Sequence, residues 1–98
     1  MATEPDRETT DGRVTLRYWA SARAAAGTDS ESLEVVGPVS LAELVTRARA
    51  AHDSRRFSDV LSCCSVMVGD RPVTTDDPKT VIVQPGATVE FLPPFAGG

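Results

Sequence analysis

Pro38-Val39-Ser40-Leu41-Ala42-Glu43-Leu44-Val45-Thr46-Arg47-Ala48 is the stretch that decides the fold. Ser40 stands at the N-cap, and Glu43 three residues later completes a capping box, in which each side chain satisfies an orphan backbone N–H of the other. Leu41, Leu44, Val45 and Ala48 follow at i, i+3, i+4 and i+7, one apolar stripe, with Glu43, Arg47 and Arg49 turned away. The spacing predicts a helix running to about His52. Around it, nearly everything reads as strand.

Upstream, Val14, Leu16 and Tyr18 alternate with Thr15, Arg17 and Trp19, the period-2 pattern of a half-buried strand beginning at Arg13. The small-residue run Ala20–Ala26 suits one or two helical turns stopped by Gly27. Glu31–Val36 reads as a second strand, closed by Gly37-Pro38. Downstream, Phe57, Val60 and Leu61 repeat the helical spacing for a shorter turn, and Cys64–Val68 reads as a third strand. Arg71–Thr74 is at most a short edge strand, because Pro72 has no N–H for a ladder. Thr80–Val83 is a brief extended piece, and Thr88–Leu92 is the last strand, halted by Pro93-Pro94.

A hairpin, a crossover helix and further strands make a mixed sheet with one main helix on one face. The fold class is therefore α+β, a β-grasp (ubiquitin-like) roll over residues 13–92, with the terminal strand expected at the centre of the sheet. Residues 1–12 are polar and charged, carry too little apolar surface to offset ordering entropy, and read as a disordered tail. Residues 93–98 read as a flexible C-terminal tail.

The net charge of -4 and pI near 4.8 exclude a cationic footprint, so nucleic acid is not expected as a partner. No apolar run approaches the roughly 18–20 residues that span a bilayer, so no membrane is expected either. The first residues lack the apolar stretch of a secretion signal, which points to the cytoplasm and to reduced thiols at Cys63 and Cys64. Those two read as core cysteines and are too few for a four-cysteine iron–sulfur β-grasp. His52 has no second ligand at metal spacing and is expected to interact with the helix dipole. Asp76-Asp77 reads as a turn. Trp19 falls opposite the core face, either at an interface or in second-layer contacts, and Arg17 and Arg23 read as solvated or ion-paired, with a partner interface as the alternative.

The chemistry gathers at the end of the sequence, Pro93-Pro94-Phe95-Ala96-Gly97-Gly98. Two prolines fix φ and project the chain outward, and six extended residues reach roughly 20 Å. Two glycines then present an α-carboxylate that a narrow channel would admit. An ionised carboxylate resists nucleophilic attack and must first be activated, for which adenylation by ATP is the usual route. Neither G-x-x-x-x-G-K-[ST] nor G-x-G-x-x-G occurs, so no nucleotide cofactor is expected on this chain, and a partner must use the ATP.

The ending Val89–Gly98, preceded by Pro85-Gly86, resembles the MoaD/ThiS sulfur-carrier family, most of all its molybdopterin-synthase small-subunit branch. Leu16-Arg17-Tyr18-Trp19-Ala20-Ser21-Ala22-Arg23 is similar to that family's aromatic-aromatic-Ala-x-x-Arg segment. The resemblance covers residues 13–98. It implies an E1-like adenylyltransferase/sulfurtransferase that converts Gly98 to a thiocarboxylate, with Gly97 giving backbone access. It further implies insertion of the tail into the large subunit of molybdopterin synthase, where the sulfur builds molybdopterin. Phe91, Leu92, Pro93, Pro94, Phe95 and Ala96 would then contact partners. Phe95 departs from the smaller aliphatic usual there and implies a roomier groove. Carriage of sulfur for cysteine or thiamin, ubiquitin-like conjugation, and a β-grasp interaction module without acyl chemistry stand as alternatives.

Overall fold

The computed structural model describes residues 12–94. The elements are β1 (Gly12–Tyr18), α1 (Ala20–Ala26), β2 (Ser30–Val35), β3 (Val39–Ser40), α2 (Leu41–Ala51), α3 (Arg55–Ser62), β4 (Ser65–Val68), β5 (Arg71–Pro72), β6 (Ile82–Val83) and β7 (Thr88–Leu92). Five strands form one sheet in the order β2-β1-β7-β4-β5, while β3 and β6 pair separately. β7 runs parallel to β1 and antiparallel to β4. The last strand is therefore flanked on both sides, as the sequence order implied. This is a β-grasp roll.

One face of the sheet is covered. Val14, Leu16 and Tyr18 of β1 and Val89 and Phe91 of β7 meet Leu41, Leu44 and Ala48 of α2 and Phe57 and Leu61 of α3, all buried. α2 is the main helix on this face, and the short helical pieces expected at Ala20–Ala26 and around Phe57 are α1 and α3, each about two turns. α1 ends on Gly27 at φ 77°, a left-handed cap open to glycine without strain. Ser40 accepts from the backbone N–H of Glu43 at 3.1 Å. No return bond from the Glu43 side chain to the Ser40 N–H accompanies it. Ser54 caps α3 in the same way, accepting from Phe57 N.

Two boundaries shift from the sequence reading. Gly12, assigned to the N-terminal tail, is the first residue of β1, paired with Val35. It lies so close to Pro85 that any Cβ would collide with that ring. Thr80–Val83 contributes only β6, which joins β3 rather than the main sheet. The rest of the 1–12 tail and residues 95–98 lie outside the described residues.

Candidate functional site: the outer sheet face where the last strand ends

β7 is tied down to its final residue. Leu92 pairs with Ser65, and the carbonyl of Phe91 accepts from the backbone N–H of Trp19 at 3.2 Å. Pro93 and Pro94 then offer no donors and the ladder stops. The chain beyond Pro94 therefore leaves from a fixed base. Gly97, Gly98, Phe95 and Ala96 lie outside the described residues.

Alternation along β7 sorts the residues assigned to partner contact. Val89 and Phe91 point into the core, whereas Glu90 and Leu92 are partly exposed on the outer face. Phe91 is 1% exposed. This corrects its assignment to a docking surface, because a partner cannot reach the ring without unfolding the sheet. Leu92, Pro93 and Pro94 do line a surface hollow of about 440 Å³, together with Met67 and Pro72. On the helix side the same two prolines border a second hollow of about 350 Å³ with Val60 and Cys63. Another hollow, about 570 Å³, is lined by Gly12, Arg13, Glu34, Pro85 and Gly86 and does not include Pro93 or Pro94.

Trp19, just past the end of β1, is 41% exposed. Its Nε1–H donates to Glu90 Oε1 at 3.0 Å, and the Arg17 guanidinium carbon lies 5.0 Å from the ring centroid. Arg17 and Glu90 are themselves register partners across β1 and β7. The backbone turn after Trp19 is unusual: Ala20 has φ 48°, a left-handed conformation that costs a non-glycine residue roughly 1 kcal/mol or more.

The sheet's edges are partly blunted against an added strand. On β2, the ladder to β1 leaves Ser30, Ser32 and Glu34 facing outward. Thr28 Oγ1 occupies both the N–H and the C=O of Ser30, and Arg47 Nη1 donates to the carbonyl of Glu34 at 2.9 Å. β5, at the other edge, is two residues long and includes Pro72. Blunting of this kind protects against edge pairing.

Other singled-out residues find structural places. His52 does more than meet a dipole: its Nε2 lies 2.7 Å from Glu31 Oε2. The same oxygen accepts from the Tyr18 hydroxyl. The sequence reading missed this trio, although a core tyrosine's hydroxyl has to find a partner and Glu31 was the nearest acidic residue of the neighbouring strand. Burial, then the bond to Glu31 and that residue's negative charge, push the Tyr18 phenol well above its ordinary range. Cys63 is exposed and Cys64 buried, both as free thiols, and Cys64 donates to the carbonyl of Val60. Asp77 closes the expected turn, accepting from Lys79 N at 3.0 Å. No helix among the described residues is long and apolar enough to cross a membrane.

The model of the ThiS family matches residues 16–98. No curated protein matches the sequence. Among solved structures, the fold is similar to SAMP1 from Haloferax volcanii, at 17% identity over 89% of this chain and 100% of that one, TM-score 0.72. It is similar to Urm1 from Trypanosoma brucei, at 19% identity over 93% and 100%, TM-score 0.69. A third likeness is to a chain in the complex of subunits 1 and 2 of molybdopterin-converting factor from Helicobacter pylori, at 20% identity over 88% and 99%, TM-score 0.59. At these identities the likenesses establish the ubiquitin-like fold.

Proposed function

We propose, from the premise that the chain belongs to the ThiS family, that it is a sulfur carrier whose Gly98 carboxylate is activated by others and loaded with sulfur. An E1-like enzyme joins that carboxylate to the AMP moiety of ATP, releasing pyrophosphate. A sulfur nucleophile then displaces AMP and leaves a thiocarboxylate. The chain is the donor, and the catalytic groups belong to its partners. The observation that carries this reading is the centrally flanked strand β7, which is stopped by Pro93-Pro94 beside an exposed face and is followed by Phe95-Ala96-Gly97-Gly98.

Leu92, Pro93, Pro94, Met67, Pro72 and Trp19 form the docking face. The tail begins at this face, so a partner that holds one also holds the other. The acceptor reading we favour is molybdopterin synthesis in the cytoplasm, with the large subunit of molybdopterin synthase as partner. Two things support it: the Pro93-Pro94 ending, and the likeness to a chain in a complex of subunits 1 and 2 of molybdopterin-converting factor. Co-expression with the activating enzyme and intact-mass measurement test the carrier reading. The chain should become heavier by the difference between a sulfur and an oxygen atom.

A second reading rests on the likeness to a small archaeal modifier protein. In that case Gly98 would form isopeptide bonds with lysines of other proteins, and conjugates would accumulate where the thiocarboxylate does not.

A further inference from the structure

On the helix side of the sheet, α1 and α3 lie against each other. Ser21 of α1 and Asp59, Val60 and Cys63 of α3 bound, with Pro93 and Pro94, the hollow of about 350 Å³ described above. Its walls are largely apolar: Val60 is only partly buried, and the Cys63 thiol is exposed and free. The residue that follows Pro94 is Phe95. Of the three phenylalanines, Phe57 and Phe91 are already buried in the core.

We propose that in the free chain the Phe95 ring seats in this hollow, latching the tail against α3 and covering Cys63. Reach favours this occupant: Pro94 is itself part of the wall, and the next Cα lies only about 3.8 Å further on. Seating the ring therefore orders just one more residue of backbone. Alternation favours the helix side. Val89 and Phe91 face the helices while Glu90 and Leu92 face out, and the same parity carried through the extended prolines returns position 95 to the side of Phe91. Chemistry favours it as well, since an aromatic ring has a large apolar surface to remove from water, and a thiol packs beside it as a small apolar group. The latch goes beyond the carrier reading. Only one consequence rests on that reading: the activating enzyme has to displace the ring before it takes Gly98.

The test is the rate at which iodoacetamide alkylates Cys63 in the free full-length chain, followed by mass for wild type, Phe95→Ala, Val60→Thr and the double variant. Phe95→Ala should speed alkylation about two- to fivefold, as for a ring seated roughly half to four-fifths of the time. Val60→Thr, which puts a hydroxyl into the wall, should speed it less and add nothing once Phe95→Ala is present. The buried Cys64 should keep its slow rate in Phe95→Ala, which shows that the core has not opened. In wild type, nuclear Overhauser contacts should join the Phe95 ring to the Val60 methyls. An unchanged Cys63 rate in Phe95→Ala, or ring contacts to Met67 and Leu92 of the outer hollow in place of Val60, overturns the inference. Neither measurement involves the activating enzyme, so that failure leaves the carrier reading standing. A latched chain that an active adenylating enzyme never modifies overturns the carrier reading and leaves the latch.

Discussion

Tyr18 and Phe91 face each other in the parallel register of β1 and β7, their rings stacked with centroids 5.7 Å apart and planes 19° from parallel. Phe57 meets Tyr18 edge-on at 5.4 Å. The strand that carries the tail is thereby tied to the first strand and to α3 through one aromatic cluster. Its outward neighbour Leu92 takes no part in that cluster.

From that division, Phe91→Ala should cost about 3–5 kcal/mol, the usual range for deleting a buried phenylalanine. Leu92→Ala should cost about 1 kcal/mol or less yet weaken partner binding. Urea titration of both variants, alongside a binding measurement on the folded one, checks the separation of scaffold from docking face.

Glu31 is the shared acceptor of Tyr18 and His52. Glu31→Ala leaves the Tyr18 hydroxyl unpaired inside the core, at a cost of about 1–3 kcal/mol. Tyr18→Phe should recover part of that loss in the double variant, because the orphaned hydroxyl is then gone. A double-mutant cycle in denaturant reads the coupling directly.

Much of this architecture was legible in the residues. The Ser40 cap, the stripe Leu41, Leu44, Ala48 and the alternation of Val14, Leu16 and Tyr18 each obey one local rule, and each stands where that rule put it. β3 was not legible, because a two-residue strand carries no period, and Thr80–Val83 was legible as an extended piece but not as the partner of β3. Phe91 was misassigned for a different reason: it was carried over from the family resemblance of the ending Val89–Gly98, while alternation along Thr88–Leu92 already placed it on the face shared with Val89. The Trp19–Glu90 bond joins residues far apart in sequence, and only the parallel β1–β7 register brings them together.

The cysteines should differ sharply in reactivity. Burial, and then the neighbouring Cys63, push the Cys64 thiol up to about 11 from an ordinary 9.0. Because the folded value is the higher one, the fold gains from keeping this thiol neutral. Below about pH 9 the thiol is neutral whether folded or not, and its folded-state pKa begins to matter only above that. From there toward 11 the unfolded chain ionises first and the native state loses stability. Denaturation midpoints should fall across that window, with Tyr18 adding to the alkaline loss, and Cys64→Ala should flatten the slope. In the native state, Cys63 alone should label quickly with a thiol reagent.

Ser40→Ala and Ser54→Ala should each cost about 1 kcal/mol, as loss of one helix cap usually does. They cap different helices, α2 and α3, so their effects should nearly add in thermal melts. Neither should alter activation by a partner once the variant is folded.

Intact-mass spectrometry of the chain purified from its native cell addresses the last residue most directly. A fraction carrying sulfur in place of one oxygen at Gly98, absent when that residue is deleted although the protein still folds, is the expected result. Only the plain carboxylate, in cells with the activating enzyme present and active on it, would contradict sulfur carriage.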